Sequence, residues 1–114
     1  MDALKVWPLG SATEIEGRTT GSNVSVIVVD MPPGPGPALH RHPYAETFVV
    51  LEGHARFRIE DTEIEASAGS VVVAPPNAEH TSENVGPGRL VQVDIHASDR
   101  FISPNGWCRR RSVR

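Results

Sequence analysis

The sequence predicts an all-β domain of short antiparallel strands, arranged as a sandwich or barrel. Ten Gly and ten Pro in 114 residues lie scattered between short apolar runs, so turns come often. Several segments alternate apolar and polar side chains, the period of a half-buried strand. No window shows a convincing 3.6-residue apolar period, so helix content is expected to be low. One domain is the default at this length.

Taken in order, residues 4–9 read as a short opening strand ended by Gly10. Glu14 to Gly21 are mixed and polar, a loop with a short pairing segment. Residues 24–31, rich in β-branched side chains, read as a buried strand with a long edge. Pro32-Pro33-Gly34-Pro35-Gly36-Pro37 fits neither helix nor central strand and acts as a stiff connector. Residues 38–42 and 46–52 read as a hairpin, broken by Pro43 and turned through Tyr44-Ala45. His54 to Glu60 puts Ala55, Phe57 and Ile59 on one face and Arg56 and Arg58 on the other. Residues 63–66 form a short strand and 70–74 a buried one. Residues 80–84 are polar but flanked by turns, as expected of a strand lining a polar interior. Arg89 to His96 alternates and closes the series. Eight or nine strands in this order suit two facing sheets with a cavity between them.

Charge and composition narrow the function. The formal net charge is −3, but residues 109–114 carry four arginines. The remaining 108 residues hold seven Lys and Arg against fourteen Asp and Glu. An acidic body argues against a nucleic-acid-binding surface. Residues 1–103 are expected to form the domain, and 104–114 a flexible, solvated basic tail. Lys5 is the single lysine, which disfavours Schiff-base and lysine-base chemistry. Cys108 is the single cysteine, so no internal disulfide framework exists. No stretch of about 18 apolar residues is present, and the start lacks a signal-peptide pattern. These features point to the cytoplasm and away from a membrane.

The chemistry concentrates between residues 34 and 84. His40 and His42 are two apart and share one face of an extended segment. The turn after Pro43 brings Glu46 back toward them. Two imidazoles and a carboxylate suit a borderline cation. His80 follows the turn Pro75-Pro76-Asn77 and supplies a third imidazole. The N₃O set leaves up to two open positions on an octahedral ion, as a catalytic metal requires. A His-x-His pair alone is often only a polar strand face; Glu46 and His80 in register make the metal the stronger reading. Glu46 could alternatively hold a ligand rather than the ion.

These residues resemble the cupin superfamily. Its first motif, G-x5-H-x-H-x(3,4)-E-x6-G, is matched by Gly34, His40, His42, Glu46 and Gly53. Its second, G-x5-P-x-G-x2-H-x3-N, is matched by Gly69, Pro75, His80 and Asn84. Asn77 stands where the family has Gly, a mild departure because Asn tolerates the left-handed conformation. The resemblance implies an antiparallel jelly-roll β-barrel holding one divalent transition metal on His40, His42, Glu46 and His80. Family members hold Fe, Mn, Ni, Zn or Cu, and span dioxygenases, isomerases, decarboxylases, binding proteins and storage proteins. The resemblance also implies a homodimer, paired through N-terminal strands.

Other candidates read more plainly. His54 follows a turn glycine and belongs on the surface. His96 stands at the barrel mouth or is a satisfied terminal histidine, the second being the plainer reading. Tyr44, in the hairpin turn, is expected to face solvent. Phe48, Val50 and Phe57 wall the pocket or simply fill the core. Asn84 hydrogen-bonds near the metal or ends its strand. Cys108, with no neighbouring His, is a poor nucleophile. No second carboxylate or lysine adjoins the site in sequence, which mildly favours oxygenase-type over proton-shuttling isomerase chemistry. Two functions therefore stand: a metal-dependent enzyme on a small organic molecule, or a non-catalytic cupin that binds or senses a small ligand around a structural metal. A structural or storage role is disfavoured by the small size.

Overall fold

The alternating segments pair into two antiparallel sheets. The computed structural model describes residues 5–9 and 13–102. Its elements run β1 (Glu14–Ile15), α1 (Gly17–Thr20), β2 (Ser25–Met31), β3 (Gly34–Pro35), β4 (Glu46–Glu52), β5 (His54–Ile59), β6 (Thr62–Ser67), β7 (Ser70–Ala74), β8 (His80–Asn84) and β9 (Leu90–His96). One sheet has the order β1-β2-β9-β4-β7 and the other β3-β8-β5-β6. From β3 onward the chain keeps switching sheets, so sequence neighbours such as β4 and β5 lie in different layers.

The core sits between the layers. Phe48, Val50, Val72, Ala74 and Leu90 come from the larger sheet, and Ala55, Phe57 and Ala66 from the smaller. The rings of Phe48 and Phe57 meet at 4.9 Å across the interface. Each fully buried large side chain, Phe57 and Leu90 above all, contributes about 1.5–3 kcal/mol. No helix among the described residues is long and apolar enough to cross a membrane.

Several elements differ from expectation. Residues 5–9 form no strand, and Val6 and Trp7 are left exposed. β2 is half-buried rather than buried; β9 pairs with its whole length on one side, while β1 covers only Val26 and Ile27 on the other. β7 is an edge strand with Val71 61% and Val73 51% exposed, because only its Val72 and Ala74 face the core. Residues 38–42 are not one arm of a hairpin. His40 instead bridges His80 on the opposite sheet, while β4 pairs with β9 and β7. Pro37 and Pro43 flank this stretch and deny it the donors a continuous ladder needs. Residues 104–114, the expected basic tail, lie outside the described residues, as does Cys108.

The Pro/Gly connector lies on β8. Gly34 and Pro35 pair with Asn84 and Glu83, and the Thr81 hydroxyl donates to the Pro37 carbonyl. Gly36 makes this possible, since a Cβ there would lie 2.1 Å from the Ser82 carbonyl oxygen. A Gly36→Ala chain must therefore lift the connector off β8. It is expected to lose roughly 1–3 kcal/mol in urea unfolding. Wild-type stability in this variant would show that the close approach does not hold the connector.

Candidate metal centre

The site is assembled where the connector meets β8. His40 and His80 exchange two backbone hydrogen bonds, of 3.1 and 2.8 Å. Their rings lie 4.5 Å apart. His42 is held two residues on, where its carbonyl accepts the Asn77 N–H at 2.7 Å. Asn77 is left-handed, with φ 67°, the conformation in which Asn is tolerated. Glu46 opens β4 and is 3% exposed. One ligand atom from each of His40, His42, Glu46 and His80 lies within 4.8 Å of the others. Metal–ligand bonds of 2.0–2.2 Å place neighbouring ligands about 3 Å apart and opposite ones about 4 Å apart. Glu46 Oε1 is 3.0 Å from His80 Nε2 and 3.3 Å from His42 Nε2, both in the range for neighbouring ligands.

The tautomers are set by the backbone. Nδ1 of His40, His42 and His80 faces the carbonyl oxygens of Ala38, Ile102 and Ala78 at 2.8, 2.8 and 2.9 Å. A carbonyl only accepts, so each Nδ1 carries the proton and donates it. The lone pair of each imidazole is therefore on Nε2, where metal ligation needs it. For His80 and His42 that Nε2 faces a buried carboxylate. A cation between them turns this arrangement from repulsive to attractive, so the donor set fits a divalent metal.

Burial and charge agree with this. Burial pushes the His40 imidazole down to about 4, the neighbouring His80 and His42 push the same way, and the Ala38 carbonyl and Glu46 only partly oppose them. Phe48 closes one wall, its ring 5.7 Å from that of His80.

Three expectations are corrected here. His96 is not a satisfied terminal histidine: it is 2% exposed, and its Nε2 lies 3.2 Å from Glu46 Oε2. Tyr44 does not simply face solvent. Its ring stacks on His42 at 5.0 Å, 4° from parallel, and its hydroxyl lies 2.7 Å from His96 Nδ1. A second carboxylate does adjoin the site. Asp94 is buried on β9 beside Gln92, whose amide donates to it at 2.9 Å. Burial, and then the Glu46 charge, pushes the Asp94 carboxyl well above the ordinary range. The alternation of β9 carried the signal, since it puts Gln92, Asp94 and His96 on the face of buried Leu90. His54 is on the surface as expected, paired with Glu65 at 2.9 Å. Asn84 is structural: its amide donates to the Met31 and Gly88 carbonyls and its oxygen accepts the Gly86 N–H.

A cupin-domain family model matches residues 27–96. The chain belongs to the cupin family. No curated protein matches it. Among solved structures, a Bacteroides fragilis cupin protein has a TM-score of 0.71 at 17% identity, covering 95% of this chain and 93% of its own. A Methanocaldococcus jannaschii RmlC-like cupin with a double-stranded β-helix fold has a TM-score of 0.62 at 18% identity, covering 67% of this chain and 71% of its own. The Lactobacillus farciminis oxalate decarboxylase formate complex has a TM-score of 0.69 at 25% identity, over 81% of this chain and 30% of that one. This cupin thus spans less than a third of the length of that decarboxylase.

The position of His40 predicts a pH effect on the metal-free protein. Below about 6.5 the unfolded chain takes up a proton at this residue, but the folded chain does so only near 4. The unfolded state then binds more protons, so this contribution to stability falls as pH drops through that window. The stability of wild type relative to His40→Gln should decline from about pH 6.5 to about pH 4 in metal-free urea titrations. A constant difference, or one that grows, contradicts a half-buried neutral His40.

Proposed function

We propose that this cupin is a metal-dependent enzyme that acts on a small organic molecule inside the sheet sandwich. One observation carries the reading: backbone carbonyls hold three histidines with Nε2 as the lone-pair atom, two of them against the Glu46 carboxylate. Fe, Mn, Ni, Zn or Cu suits such an N₃O set. The bound ion supplies Lewis-acid or redox chemistry at positions the protein leaves open.

The substrate class follows from charge. Glu46 offsets one of the ion's two charges, and burial, then the Glu46 charge, pushes the Asp94 carboxyl up toward its uncharged form. No Lys or Arg is buried among the described residues. The centre is left with one positive charge in a buried interior, which favours a small monoanion such as an organic carboxylate. The likeness to an oxalate decarboxylase is in keeping with that class. Because Asp94 holds its proton more tightly than an ordinary carboxyl, decarboxylase- or isomerase-type proton transfer stands beside the oxygenase type. The reading takes the protein as a cytoplasmic homodimer that binds neither nucleic acid nor membrane.

The experiment is metal analysis with turnover. Wild type should hold one metal per chain, and His40→Ala, His42→Ala and His80→Ala should each lose most of it. A chelator should lower the melting temperature yet leave a cooperative transition, because the apolar core does not include the ligands and the metal adds stability only by binding the folded state. Full metal content in His80→Ala removes the proposed centre. Metal and small carboxylates bound at the centre without turnover by any of the five metals leave the protein a non-catalytic ligand-binding cupin.

A further inference from the structure

The two sheets turn very different outer faces to solvent. On the smaller sheet Ala55 and Phe57 of β5 face the core, so the alternate residues point outward. Register pairing then lines up Glu65-Arg56-Glu83 in one outer row and Glu63-Arg58-Thr81 in the next. Arg56 pairs with Glu65 at 3.2 Å and reaches Glu83 at 3.9 Å. Opposite charges face each other across the strands, as suits a face turned to water.

On the larger sheet Glu46, Phe48 and Val50 of β4 face inward, which sends Thr47 and Val49 outward. One outer row runs Val73-Thr47-Ile95-Val26-Ile15 across all five strands. The next runs Val71-Val49-Val93-Val28 across four. Apart from Thr47, every residue in the two rows is Val or Ile, and none is charged. None of them is buried, and Val71 and Val73 are more than half exposed. Charge returns in the row after Val71, Glu52-Val91-Asp30, where Arg89 Nε meets Asp30 at 3.0 Å.

At about 4.8 Å between strands and about 7 Å between rows, the two rows make an apolar face of roughly 300 Å². That is the scale of the largest apolar patches on monomers, which mark interaction sites. A standard interface covers about 800 Å² per partner, an apolar core inside a polar rim. The two rows supply such a core, and the row from Glu52 to Asp30 supplies part of the rim. The core offers a charged partner no group to pair with. It fits another flat, uncharged, β-branched surface of the same twist. A second copy of the chain presents that surface, and a two-fold axis sets identical rows against each other. We infer that the outer face of the five-stranded sheet is the contact between two copies of this chain, packed sheet on sheet about 10 Å apart. This rests on the homodimer proposed above and gives it a surface: β7, β4, β9 and β2 rather than the N-terminal strands. β4 and β9 carry Glu46 and Asp94 on their inner side, so the contact backs the sheet that bears them.

The test is sedimentation equilibrium of the full 12.3 kDa chain at micromolar concentration. It compares wild type, a double variant carrying Val71→Glu and Val73→Glu, and Ser67→Glu. Both valines are exposed in the single chain, so the double variant should keep the wild-type circular dichroism. Wild type is expected to sediment as a dimer, undiminished in about 1 M NaCl because no charge pair holds its core. The double variant should dimerise at least about a hundredfold more weakly, since it puts like charges into an apolar contact. Ser67→Glu, on the outer face of the smaller sheet, should leave the dimer unchanged. A folded double variant that dimerises as wild type does, or a dimer lost only on deletion of residues 1–9, overturns the surface and leaves the homodimer standing. A wild-type monomer, bare or adsorbed to phosphatidylcholine vesicles, overturns the homodimer and the surface together. Neither result touches the metal centre, which lies on the inner side of the sheet.

Discussion

The two backbone hydrogen bonds between His40 and His80 join the stretch that follows the connector, itself part of no regular strand, to the polar strand of the smaller sheet. Two of the three imidazoles are placed by that bridge. His42 follows because it is two residues further along, pinned by the left-handed Asn77. Glu46 reaches the same point from the other sheet, as the first residue of β4. The site is therefore a junction between layers. Gly36 and Ser82, which touch no metal, matter to it as much as some of the ligands do.

Such a junction is costly. Glu46, Asp94, Gln92 and three histidines lie within a small interior, where unpaired charge and unmatched polar atoms weaken folding. The apolar cluster from Phe48 to Leu90, which reaches the site at Phe48, offsets this. Much of the polar set is paired in ways that suit a cation. The carbonyls of Ala38, Ala78 and Ile102 use up the Nδ1 protons and leave lone pairs converging. Stability and function are thus in tension at Glu46, whose charge is best satisfied when the site is loaded.

The fold class was legible in the alternation of β5, β8 and β9, and the spacing already grouped the four residues that the structure brings together. The path between the ligands was not. A hairpin over 38–52 was the local reading of His-x-His, Pro and a β-branched run. Pairing across layers prevailed, because Pro37 and Pro43 leave His40 able to bridge only over a single residue pair. β7 looked buried because Val71-Val72-Val73 is apolar throughout, yet an edge position exposes two of the three. His96 and Asp94 were readable in principle, on the Leu90 face of β9. Tyr44 was not, since its partners His96 and Ile102 lie more than fifty residues further along the chain.

The central claim is that one divalent metal is held by Nε2 of His40, His42 and His80 and by Oε1 of Glu46. Anomalous diffraction from crystals of protein loaded with a single transition metal tests it most directly. The account predicts one strong peak per chain, within bonding distance of those four atoms. A peak at exposed residues such as His54 and Glu65, or none inside the sandwich, would contradict it.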